Sequence, residues 1–173
     1  MAGDLACTGY EADSIGEAEW AQIMGVLGAP STFAAWSQWR PYVGTGTREV
    51  KLTPGAAFAH GVRVTSSNAS ISLPAPASGS VQYLVCLRRT WGTGGRTAEI
   101  VAHIMSGSSP VGRVSNPGAQ DDQPPALATV AAGSSTITSL QDVRTFVGYS
   151  TFAPTLTAAN LAGQTPGSRY VLA

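Results

Sequence analysis

Residues 81–105 read VQYLVCLRRTWGTGGRTAEIVAHIM, two strand-like runs on either side of a glycine-rich turn. Bulky apolar residues recur at every second position of the first run, which is the period of a strand with one face against a core. The turn Gly92–Gly95 supplies residues that accept the positive φ angles of a chain reversal. This stretch therefore predicts a β-hairpin.

The register of the predicted hairpin follows from pairing Trp91 with Arg96. That pairing places Arg88 opposite Glu99, so opposite charges face each other across the strands. It also gives an apolar face, in which Leu87 lies opposite Ile100, Val85 opposite Ala102 and Tyr83 opposite Ile104. Because turn, alternation and charge pairing agree, we expect this hairpin to be the folding core.

The composition indicates one mainly β domain. Charged residues make up 12% of the 173 residues, against roughly 25% in typical domains, and there are 20 glycines. We predict an antiparallel β-sandwich or barrel-like domain with one N-terminal amphipathic helix. The expected division is an N-terminal segment with the helix (1–30), a β-rich docking domain (31–149) and a C-terminal arm or linker (150–173).

The N-terminal helix is predicted from about Ile15 to Leu27. Ser14 and Glu17 have the spacing of a capping box. Apolar residues recur at helical spacing, and a glycine and a proline follow the last of them. The expected buried stripe consists of Trp20, Ile23, Met24 and Leu27.

Short strands are predicted through the rest of the chain. Alternation marks a strand at Glu49–Leu52, Gly61 is interpreted as a β-bulge, and a later strand is expected at about Ala126–Ala131. The glycine-, serine- and proline-rich segment Ser106–Pro125 is interpreted as a long binding loop or an excursion over a neighbouring protein.

Motifs that carry chemistry are absent from the sequence. It has no nucleophile elbow, no phosphate loop, no H-E-x-x-H and no C-x-x-C. We therefore predict no enzyme activity, no cofactor and no metal site. His60 and His103 are expected to be packed or surface residues, and the adjacent carboxylates of Asp121–Asp122 are expected to point apart.

Cysteines and net charge add further expectations. Cys86 falls inside the first hairpin strand and is predicted to be a buried free thiol, distant in sequence from Cys7. Ten basic and ten acidic residues leave no net charge to attract nucleic acid or an anionic membrane. The first residues have no signal-peptide or membrane-span pattern, which predicts synthesis in the cytoplasm without membrane insertion.

Four runs of residues together carry a resemblance to a known family. They are PGAAFAHGVRV (54–64), YLVCLRR (83–89), PALATV (125–130, followed by Gly133) and LQDVR (140–144). In this order, after a capped helix, they resemble the N-terminal β-rich docking module of minor tail or baseplate proteins from tailed bacteriophages infecting actinobacteria. The resemblance covers roughly residues 14–149.

The resemblance implies a structural virion protein of the tail tip, made in the host cytoplasm, that attaches or presents host-receptor-binding parts. Its implied partners are other tail and baseplate proteins, with host surface glycan contacted indirectly. Residues 150–173 leave no room for a receptor-binding head. We therefore expect either an adaptor gripped by other fibres or a piece of a longer protein.

The expected interface residues are Trp36, Trp39, Arg40, Tyr42 and Tyr170. Aromatic residues and arginine are enriched at interfaces, and low charge with zero net balance favours a homo-oligomer. The resembled family favours a trimer. Asp142 and Arg144, two residues apart on an extended segment, are expected to form a structural pair. The alternative function is a carbohydrate-binding module that stacks sugars on Trp36, Trp39 and Tyr42.

Overall fold

The computed structural model describes residues 16–26, 32–92 and 97–146. These residues form one helix, α1 (Glu17–Val26), and twelve strands. The strands are β1 (Thr32–Phe33), β2 (Pro41–Val43), β3 (Glu49–Leu52), β4 (Gly55–Ala59), β5 (Val62–Ser66), β6 (Ala69–Ser72), β7 (Ser80–Thr90), β8 (Thr97–Ser106), β9 (Ser109–Pro110), β10 (Ser115–Asn116), β11 (Gln120–Ala131) and β12 (Ser139–Asp142).

The strands form three antiparallel sheets. The largest has the order β10-β11-β7-β8-β9, with β12 also paired to β11, and it curls into a half-barrel. The second sheet has the order β2-β3-β6 and the third β1-β4-β5. Because β6 approaches β8 and β12 approaches β2, the second sheet lies against the two sides of the curled sheet. The predicted mainly β, antiparallel fold class is confirmed.

The hairpin β7–β8 has the register that the sequence predicts. Leu87 pairs with Ile100 and Arg88 with Glu99, and the other two predicted apolar pairs are also present. Arg96, the predicted partner of Trp91, lies outside the described residues. The apolar face ends earlier than predicted, because Ile104 is 53% exposed.

The core consists of two clusters of buried side chains between the sheets. The first joins the middle of β7 and β11 to the second sheet, and its buried members are Val50, Leu73, Tyr83, Val85, Ala126, Ala128, Val130 and Ile137. The second joins β7 to the third sheet, and its members are Phe33, Trp39, Leu52, Ala57 and Leu87. Ile100 packs against both clusters, so the hairpin lies at their junction.

Replacing Leu87 with alanine is expected to lower the free energy of unfolding by about 3 kcal/mol. Leu87 is 1% exposed and packs in the second core cluster, so truncation leaves a cavity among buried side chains. Chemical denaturation measures the effect, with the exposed Ile104→Ala on the same hairpin as the control. Equal stability of Leu87→Ala and the wild type would contradict the central place of this residue in the core.

The segment Ser106–Pro125 is not the long loop that the sequence suggested. It contains β9 and β10, and β11 begins at Gln120, six residues before the predicted strand start. The start of the strand was not predicted because Asp121, Asp122 and Gln123 are polar. In the structure these residues are buried and pair with β7. The register shifts between Gln123 and Ala126, where Pro124 and Pro125 form a β-bulge. Proline is tolerated there because residues in a bulge need not donate a backbone N–H to the neighbouring strand.

Gly61 is a turn residue rather than a bulge. His60 (φ 48°) and Gly61 (φ 77°) form the two-residue connection between β4 and β5. Two positive φ angles in such a connection define a type I′ turn. A Cβ atom on Gly61 would lie 2.4 Å from Trp20 Nε1, so the α1 helix packs on this turn.

Helix α1 begins at Glu17, two residues after the predicted start, and its packing differs from the prediction; the predicted end at Leu27 lies outside the described residues. The Ser14 cap lies outside the described residues, and the Gly16 N–H donates to Glu19 Oε2 instead, at 2.9 Å. Among the helix side chains that the structure describes, Ala21 is buried, whereas Trp20 is 46% and Ile23 38% exposed. The predicted stripe is therefore not fully buried. Within the part of the chain that the structure describes, no helix is long and apolar enough to cross a membrane.

Candidate functional site

The Asp142–Arg144 pair lies at the end of β12. The Arg144 side chain is completely buried, whereas that of Asp142 is 25% exposed. Arg144 Nε donates to Asp142 Oδ1 at 2.9 Å, and Arg144 Nη2 donates to Asp142 Oδ2 at 2.6 Å. Such a two-pronged arginine–carboxylate contact fixes both distance and orientation.

Arg144 also holds a distant part of the chain. Its Nη1 donates to the main-chain carbonyls of Trp36 at 2.8 Å and Gln38 at 2.5 Å. Its guanidinium carbon lies 5.3 Å from the centre of the Trp36 ring and 5.0 Å from that of Phe146, within cation–π range. Arg144 therefore fastens the Trp36–Gln38 segment to the end of β12.

The predicted interface residues do not share one surface. Trp39 is 1% exposed and lies in the second core cluster, with its ring centre 6.2 Å from that of Phe33. Trp36 is 55% and Tyr42 45% exposed, and Arg40 is also exposed. Tyr170 lies outside the described residues. Of the three aromatic residues proposed for sugar stacking, Trp39 is thus a core residue, and its backbone is left-handed, with a φ of 58°.

Sequence reasoning missed two charged clusters on opposite faces of the largest sheet. The β7–β11 register pairs Arg88 with Asp122 and Arg89 with Asp121. Because neighbouring residues of a strand point to opposite faces, each pair occupies its own face. The predicted divergence of the two carboxylates is confirmed, although they lie in a strand. The signal in the sequence was an arginine doublet and an aspartate doublet in separate segments.

The first cluster is centred on Asp122, whose side chain is inaccessible to solvent. Arg88 Nε donates to Asp122 Oδ1 at 2.8 Å and Arg88 Nη2 to Oδ2 at 2.9 Å. The Val114 N–H donates to Oδ2 at 3.0 Å, and His103 Nε2 lies 2.9 Å from the same oxygen. His103 Nδ1 lies 3.1 Å from the Val111 carbonyl oxygen. The cluster thus ties residues 111–114 to the face of the sheet.

The pKa values of this cluster reflect burial and pairing. Burial of Asp122 opposes its ionisation, but the Arg88 hydrogen bond, the Val114 N–H and the nearby cations outweigh burial and lower the pKa of Asp122. The same hydrogen bond raises the pKa of Arg88. Burial raises the pKa of the neighbouring Cys86 thiol to about 12, so this free cysteine stays protonated at neutral pH.

Stability is expected to fall in acid partly through Asp122. Its folded-state pKa lies below its unfolded value, so its contribution is complete above about pH 4 and is lost as pH falls through the folded-state pKa. Chemical denaturation at a series of pH values between about 6 and 2 measures the loss. The Asp122→Ala variant should show a shallower decline than the wild type, and identical slopes would contradict the assignment.

The second cluster lies on the inner face and is centred on Arg89, which is 2% exposed. Arg89 Nη2 donates to Gln123 Oε1 at 2.7 Å, and Arg89 Nη1 lies 3.7 Å from Asp121 Oδ2. His60 Nε2 lies 3.4 Å from Asp121 Oδ1. Burial lowers the pKa of Arg89 to about 10 against the opposing charge of Asp121, so Arg89 remains a cation at neutral pH.

The chemistry of these clusters is that of structural cross-links. Each buried carboxylate faces an arginine, and in the described ranges no group of three histidine, cysteine, aspartate or glutamate side chains is placed to hold a metal. His60 and His103 are both packed against carboxylates, within the predicted range of packed or surface positions. The first cluster joins the sheet to the covering residues 111–114, and the second joins β7 to β11.

The site thus defines a β-rich domain whose arginine–aspartate pairs are used internally. Comparisons with protein-family models, with curated proteins and with solved structures each find no match to this chain.

Proposed function

We propose that this chain is a structural protein of a phage tail tip or baseplate, an adaptor that attaches or presents host-receptor-binding parts. The supporting observation is how its charges and apolar residues are distributed. Three of the ten arginines and lysines and three of the ten acidic residues are held in buried or half-buried pairs with each other. This leaves a surface with little charge to keep copies and neighbours apart.

Large apolar side chains occupy part of that surface. Trp36 lies in the segment that Arg144 holds against the domain, and Tyr42 and Val43 in β2 are 45% and 46% exposed. Phe58, Ile104 and Val111 are also exposed. Exposed aromatic residues on a firmly held segment are suited to contacts with other proteins of an assembly.

The resembling motifs also support the proposal by their arrangement. Residues 83–89 lie in β7, residues 125–130 in β11 and the start of 140–144 in β12, three strands that are adjacent in the largest sheet. Residues 54–64 form most of the β4–β5 hairpin. Proteins that share these four sequence motifs would therefore share the largest sheet and the β4–β5 hairpin packed near it.

Immunogold labelling of purified phage particles that contain this chain tests the proposal directly. An antibody against the purified chain should mark one end of the tail, because a tail-tip adaptor is present only there. An antibody against a major tail-tube protein, which marks the whole tail, is the control. Label on the capsid would overturn the proposal. So would unlabelled particles in a preparation in which the antibody detects the chain.

We expect the purified chain to form a homo-oligomer, with a trimer favoured. Light scattering should then give a mass of three 17.7 kDa chains. Trp36→Glu, which puts a charge on an exposed interface residue, should shift the mass toward the monomer. Trp39→Glu does not serve this test, because it would bury a carboxylate in the core. A wild-type monomer at tens of micromolar would contradict self-association.

The carbohydrate-binding alternative has less support. Its three-ring platform requires Trp39 at the surface, and Trp39 is 1% exposed. Trp36 and Tyr42 are exposed and could still contact a sugar. Glycan binding by the isolated domain, together with its loss in Trp36→Ala, would support the carbohydrate-binding function.

A further inference from the structure

Strand β5 (Val62–Ser66) ends the third sheet with a free edge. In the described ranges it pairs only with β4. The two-residue turn makes Ala59 and Val62 a hydrogen-bonded pair, so the N–H and C=O groups of Val62 and Val64 point toward β4. By the same alternation, those of Arg63 and Thr65 point outward. Both residues are exposed.

This free edge borders a cavity of about 440 Å³. One wall is the outer edge of β5 and its turn, from Gly61 to Thr65. The opposite wall is the end of β7 at Arg89–Trp91 and the start of β8 at Thr97–Ala98. The space is therefore a groove between a free strand edge and the end of the central hairpin.

The charge of the groove is one-sided. Among the described residues that line it, Arg63 and Arg89 are charged and none is acidic; Arg63 is exposed, whereas Arg89 is 2% exposed. Asp121 faces Arg89 but is not among the lining residues. The other lining residues, which include Trp91 and three threonines, contribute apolar and hydroxyl surface. A groove with this lining favours an extended segment that carries acidic side chains.

We propose that this groove binds an extended, acidic segment of a partner protein, which adds a strand to β5. The outward N–H and C=O groups of Arg63 and Thr65 pair with the backbone of the segment, and Arg63 contacts its acidic side chains. A second copy of this chain is a poorer occupant through the same edge, because it would bring a second Arg63 to a basic groove. The inference goes beyond the tail-tip proposal and does not depend on it.

Nuclear magnetic resonance titration of the full chain tests the groove, with a short blocked peptide of alternating valine and glutamate as the probe. The backbone amides of Arg63 and Thr65 should shift and gain protection from hydrogen exchange. A peptide of alternating valine and lysine should bind at least about tenfold more weakly, since it meets like charges. Absence of binding by the acidic peptide, or equal binding of both, overturns the proposal.

Two variants separate backbone pairing from charge. Thr65→Pro removes an outward N–H and spares the bonds to β4, so it should weaken the acidic peptide by about tenfold while the domain stays folded. Thr65→Val keeps the N–H and should bind like the wild type. Arg63→Glu should reverse the preference between the two peptides. Unchanged affinity in both Thr65→Pro and Arg63→Glu would show that binding occurs elsewhere and refute the groove.

Should Thr65→Pro prove unstable in thermal melts, Arg63→Glu carries the test. Arg63 is exposed and lies on the outer side of the strand, so its replacement leaves the core intact. Retention of the wild-type peptide preference by a folded Arg63→Glu variant would refute the proposal.

Discussion

Replacing Asp122 with alanine is expected to lower the free energy of unfolding by about 4 kcal/mol, the range for breaking a buried charge pair. The variant leaves the Arg88 guanidinium, the Val114 N–H and His103 without the carboxylate that faces all three. Because Asp122 is inaccessible to solvent, water does not replace those contacts without opening the cluster. The segment that covers this face of the sheet should loosen first.

Thermal and chemical denaturation measure this effect, with a fall in melting temperature of about 10 °C expected for a chain of this size. Glu99→Ala is the matched control. Glu99 also lies opposite Arg88, but it is exposed, and its loss should change stability by less than about 0.5 kcal/mol. A loss as small for Asp122→Ala as for Glu99→Ala would contradict the structural role of the buried carboxylate.

Replacing Arg144 with alanine is expected to lower the free energy of unfolding by about 3 kcal/mol, because its hydrogen-bond partners are left unpaired inside the protein. The main-chain carbonyls of Trp36 and Gln38 lose their donor, and the Asp142 carboxylate loses its partner. The rings of Trp36 and Phe146 lose the cation that lies near both. The segment that carries Trp36 should therefore become mobile.

Tryptophan fluorescence reports this mobility alongside chemical denaturation, because Trp36 contacts the arginine. Arg144→Lys is the second variant to compare, because it keeps the positive charge but not the planar guanidinium with its several N–H donors. It should recover less than half of the unfolding free energy that Arg144→Ala loses. Arg40→Ala, at an exposed arginine of the same region, should have little effect. A Lys variant as stable as the wild type would show that charge alone accounts for the role of Arg144.

The local pattern of the sequence was enough for the central hairpin. The period of two from Val81 to Leu87, the glycine-rich turn and the Arg88–Glu99 pairing all point to one register, and the structure has that register. The same holds for Glu49–Leu52, which forms β3 as predicted. In these strands the residues that face the core are apolar, so burial is visible in the sequence itself.

The start of β11 could not be predicted in this way. Asp121, Asp122 and Gln123 are buried polar residues, and alternation of apolar and polar types does not reveal a strand whose partners are arginines on another strand. The surrounding glycines and prolines made the segment resemble a loop. Only the pairing with β7 explains the arrangement, because it brings the Arg88–Arg89 and Asp121–Asp122 doublets together.

The position of Trp39 is a similar case. Its neighbours in sequence, Trp36 and Tyr42, are exposed, and nothing in the local pattern separates it from them. Its burial depends on residues that are more distant along the chain, because Leu52, Ala57 and Leu87 belong to the same core cluster.

By itself, the sequence determined the mainly β class, the hairpin and its register, because local alternation and turn chemistry decide those. The tertiary structure alone decided which polar residues are buried, which aromatic residue of the Trp36–Tyr42 segment enters the core and, among the described strands, that β5 pairs on one side only. These features depend on pairing between distant segments, since a buried charge is stable only where its partner is brought to it.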